Sequence, residues 1–207
     1  MFARVQVIGD VEQVPGDGAV DVMETVSGHP GFVEAWVTRQ LGGSGGVLVT
    51  VWGSRQDAEL ASERTAAARG GPRPFRLAQD TVYEVVHSEA GPAAGDEPAV
   101  CQLTWFDGPR SEAQAAADER AGTERIWPAV RDTPGLVRSM ALRAPDRALL
   151  HLGLATGTDA LDAVQRRVMA TELLPGEDPA LLGGPDRIDV CTVLASHARP
   201  VTQPATP

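Results

Sequence analysis

Lysine and asparagine are absent from all 207 residues of this chain, so its 18 basic side chains are all arginine. A GC-rich coding sequence that avoids A-rich codons accounts for the bias, but the chemical consequences stand. Without lysine there is no Schiff-base nucleophile, no pyridoxal-phosphate anchor and no P-loop. Cysteine occurs only at Cys101 and Cys191. That is too few for a disulfide framework, and no Cys/His cluster accompanies them as zinc requires. No apolar run approaches the roughly 18 residues of a membrane span. Met1-Phe2-Ala3-Arg4-Val5 enters a strand pattern directly, without a signal-peptide layout. The net charge is −10, and the arginines form no cluster, which excludes a nucleic-acid surface. These absences predict a cytoplasmic protein whose partners are neither nucleic acid nor membrane.

What the chain does contain is itself, twice. His29-Pro30-Gly31-Phe32-Val33 returns as Thr133-Pro134-Gly135-Leu136-Val137. An apolar strand, a tight turn and a second apolar strand follow each copy. Then come a polar break, a helical pattern, and a last strand opened by Asp80-Thr81 or Asp186-Arg187. A period of roughly 100 residues is a domain duplication, since each unit can hold its own small core.

The first copy predicts strands at Ala3–Gly9, Phe32–Leu41, Val47–Trp52 and Thr81–Val86. A weak helix falls near Ala19–Val26, after the breaker that starts at Pro15. A second runs from the cap Ser54-x-x-Asp57 to Arg69 and stops at Gly70-Gly71-Pro72. The glycine run 42–46 reads as a hairpin turn, not a phosphate cradle, because no helix follows it. The second copy predicts strands at Val100–Phe106, Leu136–Leu142, Ala148–Leu154 and Arg187–Leu194. Its helices run from the capping box Ser111-x-x-Gln114 to Arg131 and over Asp159–Ala170. An Ala-, Gly- and acid-rich stretch, His87–Pro98, separates the copies.

Each copy therefore reads β-α-β-β-α-β, the ferredoxin-like split unit. The chain divides into unit 1–90, linker 91–98, unit 99–198 and a disordered tail 199–207. The fold class is α+β. Val47, Val49 and Val51 alternate with Leu48, Thr50 and Trp52, so both faces of that sheet want burial. The two bare faces are expected to pack together as one α/β barrel of the kind a dimer usually makes. One chain then supplies both halves, a monomeric pseudo-dimer.

Pro30-Gly31-Phe32-Val33, followed by Val49-Thr50-Val51-Trp52-Gly53-Ser54-Arg55-Gln56-Asp57-Ala58, resembles the antibiotic biosynthesis monooxygenase group of dimeric α/β barrels. The strand and helix layout matches over nearly the whole chain. The motif is clearer in the first copy, because Leu154 replaces the Trp in the second. The resemblance implies oxygenation of an electron-rich phenol or anthrone by dioxygen, with no metal and no tightly bound cofactor. It also implies relatives that degrade haem and relatives that consume reduced flavin as a co-substrate. Two departures stand out. The Asn often found near the pocket is missing, and Glu59-Leu60-Ala61-Ser62 occupies the stretch where haem degraders carry a helical His.

Such chemistry needs an apolar pocket, an aromatic wall, a base and a donor to the anion. Trp52 matches the family motif and reads either as a core residue or as a donor to substrate. Trp36, Trp105 and Trp127 are candidate walls in a chain with 4% aromatic residues, with core packing as their other reading. His151 lies inside the apolar strand Leu149-Leu150-His151-Leu152. Alternation places it with Leu149 and Gly153, and the glycine leaves room for a ligand. His29, in the loop entering strand two, is a further catalytic candidate. Of Arg39, Arg138 and Arg143, all on strands, one that points inward could hold a phenolate. His87 and His197 read as solvated, Asp80 and Asp186 as turn residues, and the cysteines as buried free thiols. The expected function is an oxygenase of aromatic polyketide biosynthesis. A flavin-assisted ring-cleaving oxygenase and a non-oxygenase cyclase or ligand-binding protein are the alternatives.

Overall fold

The computed structural model describes residues 1–9, 16–69 and 77–198. Pro15, the Gly70-Gly71-Pro72 stop and the tail from Arg199 lie outside them. Eight strands and interspersed helices make the described chain α+β, with antiparallel strand pairing. It divides into two compact units.

The first unit comprises Met1–Thr38, Ser44–Val82 and the chain from Leu194. It holds β1 (Phe2–Ile8), α1 (Gly16–Ser27), most of β2 (Phe32–Gln40), β3 (Gly46–Trp52) and α2 (Arg55–Arg69), with the start of β4 (Leu77–Ala90). Strand β1 pairs with β3 in antiparallel register, Val5 opposite Val49. Every residue of β3 is buried, as its unbroken apolar run predicts for a strand covered on both faces. Val22, Met23 and Val26 of α1 pack with Phe32, Leu48 and Trp52 to form the core of this unit. Ser54 caps α2: its Oγ accepts from the Asp57 N–H at 3.1 Å and donates to Asp57 Oδ2 at 2.6 Å. The α1 helix starts three residues before the sequence reading, within the ordinary scatter of helix ends. Asp80 lies inside β4, not in a turn, and its carboxylate accepts from Arg4 on β1 at 2.7 Å.

The second unit comprises Arg39–Gly43 and Tyr83–Val193. It holds β5 (Val100–Phe106), α3 (Glu112–Arg120), α4 (Trp127–Val130), β6 (Leu136–Arg143), β7 (Leu149–Ala155), α5 (Thr158–Met169) and most of β8 (Arg187–Ala198). Its strands lie in the order β8-β5-β7-β6-β4. Cys101 stands directly opposite Cys191 across β5 and β8, and both are buried thiols not joined in a disulfide.

The repeated Pro-Gly has one structural meaning in both copies. Gly31 and Gly135 have φ of 75° and 81°, the left-handed region that only glycine enters without strain. Each carbonyl accepts from the first residue past a strand: Gly53 N–H at 2.8 Å after β3, and Thr156 N–H at 2.9 Å after β7.

Three elements differ from the sequence reading, the simplest being β8, which runs on to Ala198, four residues past the expected Leu194. Strand β4 continues to Ala90, four residues beyond the expected end, because β6 pairs with it from Arg143 to Arg138. The linker after it is tied down as well, with Gly91 and Ala93 donating to the carbonyls of Val137 and Leu136 at 2.9 Å each. The helix expected from Ser111 to Arg131 is broken by a π-helical turn, Ala121–Ile126. Its capping box forms as predicted, with Ser111 and Gln114 exchanging side-chain to backbone bonds. Pro128 supplies the reason for the break: it has no N–H to continue the α ladder, and α4 starts afresh with this proline in its first turn.

Candidate functional site

Antiparallel register across three strands of the second unit builds the floor of a cavity. His87 on β4 is opposite Ala141 on β6, and Ala141 is opposite His151 on β7. Two strand spacings put the histidine Cα atoms about 10 Å apart. Alanine at the midpoint keeps the floor low between two imidazoles. Alternation sends Ser139 and Arg143 to the same face as Ala141, and Leu149 to the same face as His151. All of these line a cavity of about 80 Å³.

The roof is the interrupted helix. Gly122, Thr123 and Ile126 of the π-helical turn and Trp127 of α4 close over the floor. In this turn Trp127 N–H reaches back five residues to the Gly122 carbonyl, which widens the helix over the cavity. Such single π turns are frequent at functional sites. Trp127 meets the His87 ring edge-on, with centroids 5.7 Å apart. Phe106 meets the His151 ring in the same manner at 5.7 Å.

The two imidazoles differ in their surroundings. Burial drives the His151 pKa down to about 4, and the nearby His87 acts in the same direction. His151 is therefore neutral at pH 7 and offers an unprotonated nitrogen to a ligand. Nε2 of His87 is buried and has no hydrogen-bond partner among the described residues. A buried polar nitrogen without a partner costs about 1–3 kcal/mol, so a ligand that offers this nitrogen a hydrogen bond is favoured.

Charges frame the cavity. Asp118 of α3 lies on its wall and is 2.5 Å from Arg110, both side chains being nearly excluded from water. Burial raises the Asp118 pKa, and the Arg110 charge and hydrogen bond oppose that rise. The Arg110 guanidinium also lies over the Phe106 ring, 5.6 Å from its centroid. Arg143 bridges Glu84 at 3.2 Å and Glu119 at 3.4 Å in more exposed surroundings.

Of the candidate site residues singled out from sequence, the cavity brings together Trp127, His151 and Arg143. The others lie elsewhere. Trp52 is in the core of the first unit, its N–H donated to Thr50 Oγ1 at 2.8 Å and its ring against Phe32. Trp36 is buried on β2 of that unit. Trp105 donates to Asp189 Oδ2 at 2.8 Å, and Arg187 covers its ring. His29 is half-buried in its loop, its pKa lowered by burial and by Arg64. Arg39 is exposed, and Arg138 is half-buried on β6; neither lines the cavity. Cys101 and Cys191 are buried thiols outside any disulfide, as expected. His87 requires correction: the linker reading made it solvated, whereas it belongs to β4 and lines the cavity. Asp118 and the π-helical roof were not anticipated. Pro128, inside an apparently continuous helical pattern, was the available signal for the roof.

No family model matches the chain, and no curated protein matches its sequence. Solved structures do match it in three dimensions. A proposed monooxygenase of Fusobacterium nucleatum superposes with a TM-score of 0.70 at 8% identity, over 96% of this chain and 94% of its own. An anthrone oxidase-like protein superposes with a TM-score of 0.60 at 13% identity, over 99% and 96%. A ferredoxin-fold protein of Listeria monocytogenes related to antibiotic biosynthesis monooxygenases superposes with a TM-score of 0.53 at 10% identity, over 93% and 94%. At these identities the likeness is one of fold: the chain is built like the ferredoxin-fold proteins related to antibiotic biosynthesis monooxygenases.

Proposed function

We propose that this protein is an oxygenase of aromatic polyketide biosynthesis, acting on an anthrone- or quinol-type substrate. It uses dioxygen without a metal or a tightly bound cofactor, and works as a monomer. The observation that carries this reading is a neutral imidazole, His151, on the floor of a largely apolar cavity walled by Trp127. The likeness in fold to an anthrone oxidase-like protein and a proposed monooxygenase supports it, although fold alone does not fix chemistry.

In this reaction His151 takes a proton from the activated C–H or phenolic O–H of the substrate. The resulting carbanion passes electrons to dioxygen and forms a C–O bond. For an anthrone, one oxygen atom becomes the new carbonyl and the other leaves as water with the two hydrogens lost from carbon. A base whose conjugate acid titrates near 4 is by itself a weak proton acceptor. The substrate anion beside it favours the imidazolium and raises that pKa as the proton moves. The cavity walls keep water from the group that His151 deprotonates, and Trp127 offers a ring face to the planar substrate.

Oxygen uptake under labelled dioxygen tests this, with an anthrone and a single-ring hydroquinone, each with and without reduced flavin. Label in the product without flavin supports the proposal. Label only with flavin replaces it by the flavin-assisted reading. Binding without label identifies a cyclase or carrier instead.

A further inference from the structure

The cavity is small and is lined by an imidazole on either side of Ala141. Its volume of about 80 Å³ is roughly half that of an apolar cavity known to hold benzene, about 150 Å³. Pockets that enclose multi-ring ligands run to about 300–1,000 Å³. No more than one ring can therefore enter it, and further rings would have to stay outside.

The floor sets where that ring finds polar partners. His151 stands on one side of Ala141 and His87 on the other, in one register row. His87 Nε2 is buried and unpartnered. Trp127 packs on the His87 ring and Phe106 on the His151 ring, which holds both imidazoles in place. Directly between them Ala141 lies below and Ile126 and Val130 line the cavity above, with Ser139 and Arg143 flanking Ala141 along β6. A ring with one oxygen substituent satisfies one imidazole and leaves the other unmet. A ring with an oxygen at each end satisfies both.

We propose that His87 is a second substrate-recognition residue and that the cavity selects a single aromatic ring bearing two oxygen substituents, one at His151 and one at His87. This rests on the reading of the cavity as the substrate site. The ring is either a free dihydroxybenzene or the terminal ring of a larger polyketide whose remaining rings stay outside.

Binding to the full chain tests the proposal without reference to turnover. Dissociation constants are measured anaerobically for hydroquinone, resorcinol, phenol, toluene and a dihydroxyanthracene, with wild type, His87→Phe and His87→Gln. The chemical shifts of ¹⁵N-labelled histidine report the site. The expected result is that the better dihydroxybenzene binds roughly 2- to 10-fold more tightly than phenol, the worth of one hydrogen bond. His87→Phe removes that preference without weakening phenol, and His87→Gln restores part of it. A dihydroxyanthracene that binds at the same histidines as well as the single ring identifies the terminal-ring source; one that binds far more weakly identifies the free ring. Equal affinity for phenol and both dihydroxybenzenes, or a preference that survives in His87→Phe, overturns the proposal. Binding as expected with no oxygen consumption would sink the oxygenase reading and leave this one standing. Oxygen consumption with an unchanged preference in His87→Phe would do the reverse.

Discussion

His87 and His151 occupy one row of the sheet in the second unit, separated only by Ala141 on the strand between them. They are 64 positions apart in sequence, and only register brings them together. Each carries an aromatic ring packed edge-on, and the helix interrupted before Pro128 covers both. The chemistry assigned to this protein follows from that row.

The low pKa of His151 makes stability depend on pH in a defined window. The imidazole titrates near 4 in the folded chain against 6.5 as its ordinary value. Between those values the unfolded chain binds the extra proton, so stability rises with pH across the window. The contribution is complete above about 6.5 and is lost as pH falls toward 4. It amounts to roughly 3 kcal/mol at most. Urea midpoints of wild type and His151→Phe, compared at steps from pH 4 to 7, should diverge in this sense. Parallel curves would show that His151 is not buried as described.

The Arg110–Asp118 pair should matter more for folding than any exposed ion pair. Removing one member leaves the other charge buried, which costs about 3–5 kcal/mol. Asp118→Ala is expected to lose that much in denaturant titration. The double substitution Arg110→Met with Asp118→Leu should recover most of it, since apolar replacement of a buried pair is often neutral. A loss below about 1 kcal/mol for Asp118→Ala would mean that Arg110 readily reaches water.

Two glycines make opposite predictions. At Gly135, φ is 81° and an added Cβ would lie 2.9 Å from Thr156 Oγ1 and from the Ala160 side chain. Gly135→Ala should cost about 1–3 kcal/mol. At Gly122 an added Cβ meets nothing within 4 Å, so Gly122→Ala should be neutral, or stabilise by up to about 1 kcal/mol as in any helix. Thermal melts of the two variants decide this.

Trp52→Phe should weaken the first unit. The indole is wholly buried and donates to Thr50. Losing that bond and part of the ring costs about 1–3 kcal/mol. A melting temperature equal to that of wild type would mean that the core repacks around phenylalanine.

These assignments also show how far the chain could be read unaided. The strands were legible because their alternation and turn signals are local, and the Pro-Gly repeat was legible because both copies need the same left-handed residue. His151 announced itself as a polar residue inside an apolar strand, and Trp127 as one of few large aromatics. His87 did not, because the Ala-, Gly- and acid-rich stretch after it reads as linker. What makes it strand is pairing with β6, some fifty residues on. Trp52 carries the clearest motif, yet its donor is used within its own strand. Sequence gives residue types; it does not show which nitrogen is left without a partner.

The most direct test of the central claim is the initial rate of oxygen uptake by wild type, His151→Phe and Trp52→Phe with the best substrate found. The account predicts a loss of about 100-fold or more for His151→Phe, the usual worth of a positioned base. It predicts a rate within about twofold of wild type for Trp52→Phe, as for a substitution that touches neither base nor substrate. A fully active His151→Phe beside an inactive but folded Trp52→Phe would contradict it and move the chemistry to the first unit.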